Sequence, residues 1–182
     1  SFEIIKHGIA RTFQNIRLFK DISVIDNIRI GYHNNANYSI LAGILRLPSF
    51  WSEEKRMTEA AMQLLKMFNM EHLAEHRAGS LPYGQQRKLE ICRALATQPK
   101  LLLLDEPAAG MNPTETRELM ETIRFIRDHF QISVLLIEHD MSLVMGLCER
   151  LIVLDYGVII ATGTPEEIKK NPKVIGAYLG GE

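Results

Sequence analysis

The segment KLLLLDEPAAGMNP, residues 100–113, decides the fold of this 182-residue chain. Its four consecutive leucines, Leu101–Leu104, form a short apolar run that ends at Asp105 and Glu106. Such a run predicts a strand covered on both faces, as in parallel sheets. Ligands of open α/β sheets bind at the carboxyl ends of strands, where these two carboxylates lie. Taken alone, the pair could equally be two solvated carboxylates at a strand end.

Two further apolar runs, Ser133–Ile137 and Leu151–Leu154, have the same character. Helical stretches, Thr114–Phe130 and Met141–Cys148, separate the three runs. Acidic residues in the first turns of Thr114–Phe130 complement the positive end of a helix dipole. The alternation of strand and helix predicts an α/β fold with a parallel sheet and right-handed crossovers.

The region before this sheet is different, because residues 15–78 contain no run that is typical of a buried strand. Glu53–Met70 is rich in good helix formers. Its apolar residues fall on one helical face: Met57, Ala60, Ala61, Leu64, Leu65 and Phe68. We interpret the region as an α-helical subdomain inserted into the α/β core. We interpret the apolar stretch Ile40–Trp51 as a helix end and loop, and favour packing in the subdomain core over a docking surface.

Composition places the chain among ordinary globular proteins. It has 21 basic and 22 acidic residues, a formal net charge of −1 and 46% hydrophobic residues. This apolar content argues against a disordered chain, and the balanced charge argues against a nucleic-acid partner. The two cysteines, Cys92 and Cys148, belong to no CxxC pair, which gives zinc and redox sites little support. No apolar run approaches the ~20 residues of a transmembrane segment.

Several residues could handle a phosphate near the two carboxylates. Gly84 stands at the start of a helical stretch, where unpaired N–H groups and the dipole attract anions, and Gln85 could add a donor. His139 follows the second strand, and Gln14 follows a short strand-like segment, Ile9–Phe13. Each of these features is more often structural when it occurs alone. Their order and spacing together are the informative signal.

That combination resembles the nucleotide-binding subunit of ABC transporters over essentially the whole chain. TFQN resembles the Q-loop, LPYGQQRKLEICRAL the signature, LLLLDEP the Walker B motif, AAGMNP the D-loop and LLIEHDM the switch region. Two longer segments, IARTFQNIRLFKDISVIDNI and GTPEEIKKNPKVIGAYLG, are most similar to the sequences of the ATPases of branched-chain amino acid importers. The ATPase of lipopolysaccharide-export systems is the alternative subfamily that the sequence resembles next.

The resemblance implies an ATPase that uses ATP and Mg²⁺ and works with a second ABC ATPase subunit and with membrane permease subunits. It would lie peripherally on the cytoplasmic face of the membrane. The implied catalytic residues are Glu106, as base, and His139, on the γ-phosphate. The implied metal ligands are Asp105 and Gln14. The implied nucleotide contacts are Gln14, Tyr83, Gly84, Gln85 and Asn112.

Two departures from the family pattern are visible. Pro82 stands where the signature commonly has serine, so phosphate contacts there would come from the backbone of Tyr83 and Gly84. No glycine begins a G-x-x-x-x-G-K-[ST] P-loop. We therefore expect an N-terminally truncated, P-loop NTPase-like core that lacks its first strands and the P-loop, exposes sheet edge and apolar surface, and is inactive alone. A non-catalytic partner module is the alternative.

This interpretation divides the chain into three parts. Residues 1–14 are the remnant of the ATPase core up to the Q-loop. Residues 15–97 form the helical subdomain and the signature helix. Residues 98–182 form the α/β core with Walker B, D-loop and switch histidine.

Overall fold

The computed structural model describes residues 2–33 and 43–179. The strands are β1 (Ile9–Arg11), β2 (Leu101–Asp105), β3 (Ser133–Ile137), β4 (Leu151–Asp155) and β5 (Val158–Gly163). The helices are α1 (Phe2–Lys6), α2 (Val24–Tyr32), α3 (Pro48–Met67), α4 (Tyr83–Leu95), α5 (Pro113–Phe130), α6 (Met141–Leu147), α7 (Pro165–Lys169) and α8 (Pro172–Val174). Short 3₁₀ turns lie at Glu71–Leu73 and Ala78–Ser80, and a π-helical turn at Ile175–Leu179 closes the described chain.

A parallel sheet in the order β1–β2–β3 carries the residues of the predicted site. Ile9 pairs with Leu101, and Leu101 pairs with Ser133. Leu102 and Leu104 are buried, since alternate side chains of the leucine run point into the core. The predicted strands at Leu101–Leu104 and Ser133–Ile137, and their parallel pairing, are confirmed.

The third predicted strand does not join this sheet, so that part of the parallel-sheet prediction was wrong. β4 pairs antiparallel with β5, from Leu151 opposite Gly163 to Asp155 opposite Val158. Tyr156 and Gly157 between them have φ values of 44° and 79°. Two successive positive φ angles build the tight hairpin turn that matches strand twist. β5 was not predicted, because the Tyr-Gly turn before it carries no strong hairpin signal in the sequence.

The helical region forms a continuous core with the sheet. The buried residues of this core include Val24, Ile28, Leu65, Leu89, Leu102 and Ile126. Helices α2 and α4 approach closely at Gly31, where an added Cβ would lie 2.5 Å from the Arg93 carbonyl oxygen. Only glycine allows that approach. On α3, burial of Met57, Ala61, Leu64 and Leu65 confirms most of the predicted apolar face.

For Ile40–Trp51, the predicted helix end and loop agree with the described residues, where helix at 43–44 gives way to a turn at 45–46, but the predicted packing in the subdomain core was wrong. Residues 34–42 lie outside the described residues, but beyond them Ile44, Leu45 and Trp51 are 72%, 63% and 57% exposed. They are therefore not subdomain core. Helix α3 already begins at Pro48, because proline fits the first turn of a helix, where its missing N–H has no partner to lose.

Apolar side chains are also exposed on the sheets, which agrees with the expected exposure of apolar surface but contradicts the prediction that β3 and β4 are covered on both faces. Leu135 and Ile137 of β3 and Ile152 and Leu154 of β4 are all more than half exposed. An open cleft of about 690 Å³ separates the two strands. Among residues 2–33 and 43–179, no helix combines the length and the apolar character that a membrane span requires.

Candidate functional site

Glu106 is the first residue beyond β2 and has an unusual backbone conformation. Its φ of 41° lies in the left-handed region, which costs a residue with a side chain about 1–2 kcal/mol. Its N–H donates to the carbonyl of Ile137 at 2.9 Å, which fixes the turn against β3. Strain of this kind persists where surrounding contacts hold it, and it clusters at functional sites.

Three of the predicted site residues meet at the carboxyl edge of the parallel sheet. Gln14 Nε2 donates to Glu106 Oε2 at 2.5 Å. His139 Nδ1 lies 3.7 Å from Glu106 Oε1, and the imidazole is 73% exposed. Gln14 follows β1 and His139 follows β3, so parallel pairing brings both to the carboxylate that follows β2.

Asp105, at the end of β2, has a cationic partner that sequence reasoning missed. Arg11 Nη2 contacts Asp105 Oδ2 at 2.8 Å. Arg11 ends β1, three residues before Gln14, and no pattern in the sequence pairs it with an aspartate 94 positions away. The guanidinium therefore occupies one oxygen of the carboxylate predicted to face a metal.

The donor set of this edge fits Mg²⁺, although not as an all-protein cage. Within the described ranges, no group of three or more His, Cys, Asp or Glu could hold a metal ion. Asp105 and Gln14 supply a carboxylate and an amide oxygen, the hard ligands that Mg²⁺ takes. Mg²⁺ commonly binds through one or two such protein groups and completes its shell with water and phosphate oxygens.

Glu138 is a second residue that the sequence analysis missed. Its side chain is 2% exposed, and its carboxylate accepts hydrogen bonds from the backbone N–H of Ala108 at 2.9 Å and of His139 at 3.2 Å. It thereby links the end of β3 to the turn after Glu106. The available signal was an acidic residue directly between an apolar strand and the candidate histidine.

Tyr83, Gly84 and Gln85 form the first turn of α4, on a different element from the carboxylates. Pro82 is the N-cap and makes no side-chain capping bond. A Cβ at Gly84 would meet only the carboxylate of Glu115, at 3.5 Å, an ordinary contact. Packing within the described chain therefore does not require glycine at this position.

Asn112 is the N-cap of α5. Its side-chain oxygen accepts from the N–H groups of Thr114 and Glu115 at 2.9 and 3.0 Å, and Glu115 completes a capping box. The structure thus gives this side chain a structural task, and its contact with nucleotide stays a prediction.

Comparisons with known proteins agree with this geometry. The family model described as "ABC transporter" matches residues 1–109, and the model described as "Branched-chain amino acid ATP-binding cassette transporter" matches residues 158–182. The chain is 46% identical over 178 residues to the "High-affinity branched-chain amino acid transport ATP-binding protein BraF" of Pseudomonas aeruginosa, covering 98% of the chain and 70% of that protein. The chain belongs to the ABC transporter ATP-binding family.

Other members of the family give the same result. LivG of Escherichia coli K12, also named a high-affinity branched-chain amino acid transport ATP-binding protein, is 45% identical over the same shares of both chains. A crystal structure of the ADP conformation of an ATP-binding cassette superposes with a TM-score of 0.80 at 32% identity, covering 99% of this chain and 71% of that one. A nucleotide-free cassette gives 0.78 at 34% identity, covering 100% and 72%.

As an ABC ATPase, the chain is a nucleotide-binding subunit of a transporter and has the P-loop NTPase-like fold expected from its motifs. Subunits of this family act as dimers with membrane permease components.

The two cysteines are unsuited to nucleophilic chemistry. Burial raises the pKa of the Cys92 thiol, and the partial burial of Cys148 raises the pKa of that thiol as well. Both thiols therefore stay protonated at neutral pH.

Proposed function

We propose that the chain supplies the hydrolytic residues of an ATPase that powers the import of branched-chain amino acids, together with a P-loop that these 182 residues do not contain. The observation that carries the hydrolytic part is the contact of Gln14 and His139 with the strained Glu106 at the end of β2. The relatives named for branched-chain amino acid transport support the substrate class, and they favour it over lipopolysaccharide export or a non-catalytic module.

Glu106 is proposed as the base that orients and deprotonates the attacking water. Gln14 holds one carboxylate oxygen, and the other faces His139. The hydrogen bond from Gln14 orients the carboxylate, which lowers the entropy lost when it positions a water molecule. His139 is highly exposed, which leaves it able to approach a γ-phosphate that enters from solvent.

Asp105 and Gln14 are proposed to hold Mg²⁺, which when bound neutralises charge on the β- and γ-phosphates. Gln14 donates to Glu106 through its amide nitrogen, and its amide oxygen is the atom that would coordinate a cation. Arg11 balances the charge of Asp105 in the structure. Arg11 would therefore compete with a bound cation for the Asp105 carboxylate.

Tyr83, Gly84, Gln85 and Asn112 are proposed to contact the ATP that a second ABC ATPase subunit holds. The N-terminus of α4 offers unpaired N–H groups. Among the described residues, an added Cβ at Gly84 would meet only the Glu115 carboxylate, at 3.5 Å, so this turn is open enough for a phosphate to approach its backbone.

The proposed arrangement assigns residues 1–14 and 98–182 to the ATPase core and residues 15–97 to the helical subdomain and signature helix. The subdomain would contact the permease subunits, which places the chain peripherally on the cytoplasmic face of the membrane. The exposed Ile44, Leu45 and Trp51 favour the docking interpretation of that stretch over the core interpretation.

The function is tested by ATP-driven uptake of labelled leucine into vesicles that contain the assembled transporter. Glu106→Gln removes the base while keeping the side-chain shape, so we expect uptake to fall by at least about a hundredfold. Glu121→Gln on the exposed face of α5 is the matched control and should retain uptake. Leucine uptake at the control rate in Glu106→Gln would refute the proposal.

A further inference from the structure

Arg87 on α4 is a buried charged residue to which none of the roles above assigns a task. Its side chain is 0% exposed, and its partner Glu90, at 2.9 Å on the same helix, is 2% exposed. Charged groups are rarely buried so completely unless they are paired and hydrogen-bonded. The partners of this pair therefore indicate what it does.

On one side, the pair holds the backbone around Gln14. Arg87 Nη1 donates to the carbonyl of Phe13 at 2.7 Å, and Nη2 donates to the carbonyl of Gln14 at 2.8 Å. Glu90 accepts from the N–H of Arg17 at 3.0 Å. The planar fork of the guanidinium reaches two successive carbonyls at once, which a lysine ammonium cannot reproduce.

On the other side, the same guanidinium reaches the D-loop through a tyrosine. Arg87 Nη2 lies 3.3 Å from the Tyr83 hydroxyl, which donates to the carbonyl of Ala109 at 3.0 Å. Tyr83 is the first residue of α4. A continuous series of hydrogen bonds therefore joins the segment after β1, the start of α4 and the turn after β2.

We propose that Arg87, Glu90 and Tyr83 are positioning residues that couple the signature end of α4 to the chain's own hydrolytic carboxylate. The inference rests on the proposed function, in which α4 contacts the ATP held by the partner subunit. Movement of α4 shifts the backbone of Gln14, whose side chain holds Glu106, and through Tyr83 shifts Ala109. Nucleotide in one site of the dimer thereby prepares the carboxylate of the other.

A purely structural network would connect elements without ending at the site. Arg29 provides the comparison, because it joins α2 to Glu54 on α3 and ends there. The Arg87 network ends instead on two loops that flank Glu106. Coupling between two nucleotide sites appears as positive cooperativity, and removal of the coupling makes the sites independent.

The test is the ATP dependence of hydrolysis by the assembled transporter, analysed for kcat, KM and the Hill coefficient. Tyr83→Phe removes one hydroxyl, and we expect kcat to fall about fivefold or more and the Hill coefficient to move to about 1. Tyr156→Phe, at a fully exposed tyrosine, should match the wild type. Arg87→Lys should reproduce the Tyr83→Phe result, whereas Arg29→Lys should keep the wild-type Hill coefficient.

A loss of folded protein would lower kcat without changing the Hill coefficient, so the two readouts separate coupling from stability. A wild-type Hill coefficient of about 1, or Tyr83→Phe with wild-type kcat and Hill coefficient, overturns the inference even if Arg87→Lys fails to fold. Failure of the proposed function is distinct, because Glu106→Gln would then still hydrolyse ATP.

Discussion

Glu106 combines its proposed chemistry with a backbone conformation that a side chain disfavours. The strain at φ 41° is offset by the bond of its N–H to Ile137 and by the contacts of its carboxylate with Gln14 and His139. At this scale, a conflict between stability and function is expected, because the site needs a carboxylate where the backbone favours glycine.

Substitution at Glu106 tests that conflict directly. We expect Glu106→Gly to be more stable than Glu106→Ala by about 1 kcal/mol, since only alanine retains the left-handed strain. The same pair at Glu121, inside α5, should have the opposite order, with glycine less stable by about 1 kcal/mol. Denaturant unfolding of the four variants measures both differences. Equal stability of Glu106→Gly and Glu106→Ala would contradict the strain assigned to this residue.

Sequence reasoning located the residues that follow apolar strands but missed those that contact them from elsewhere. Glu106, Gln14 and His139 were predictable because parallel strands bring their carboxyl ends to one edge. The contacts of Arg11 with Asp105 and of Arg87 with the Phe13 carbonyl were not predictable, since each spans more than 70 positions with no periodic pattern. Contacts of this kind depend on the tertiary packing of side chains, which local sequence does not encode.

At the scale of elements, the β4–β5 hairpin is the part of the fold that departs most from the sequence analysis. An apolar run such as Leu151–Leu154 suits a parallel or an antiparallel strand equally, so the turn after it decides the pairing. Tyr156 and Gly157 make that turn. Gly157 has a φ of 79°, and no atom lies within 4 Å of an added Cβ. Glycine is therefore favoured there by the left-handed backbone conformation and not by lack of space for a side chain.

Gly157→Ala should therefore lower the free energy of unfolding by about 1 kcal/mol through the backbone alone. Gly176→Ala is the matched control, because its Cβ would also meet nothing within 4 Å and its φ is not left-handed. We expect the control to change stability by less than about 0.5 kcal/mol. Thermal or denaturant unfolding distinguishes the two, and equal effects would show that the turn conformation does not support the hairpin.

At the scale of the whole molecule, the chain places its proposed functions on separate elements. The carboxylates lie at the edge of the β1–β2–β3 sheet, and the signature turn begins α4. Hydrolysis in the proposed dimer therefore needs both subunits, one for the carboxylates and one for the signature. Fold class and the proximity of Gln14, Glu106 and His139 were predictable from the sequence. The exposure of Ile44 and Trp51 was not, because apolar composition is shared by cores and interaction surfaces.

The most direct measurement is the identity of the nucleotide retained by the assembled transporter after incubation with radiolabelled ATP and Mg²⁺. In Glu106→Gln, binding contacts remain and the base is lost, so the retained label should be ATP. The wild type and Glu121→Gln should release labelled phosphate and ADP. Retained ADP in Glu106→Gln, formed at the rate of the control, would contradict the assignment of Glu106 as the hydrolytic base.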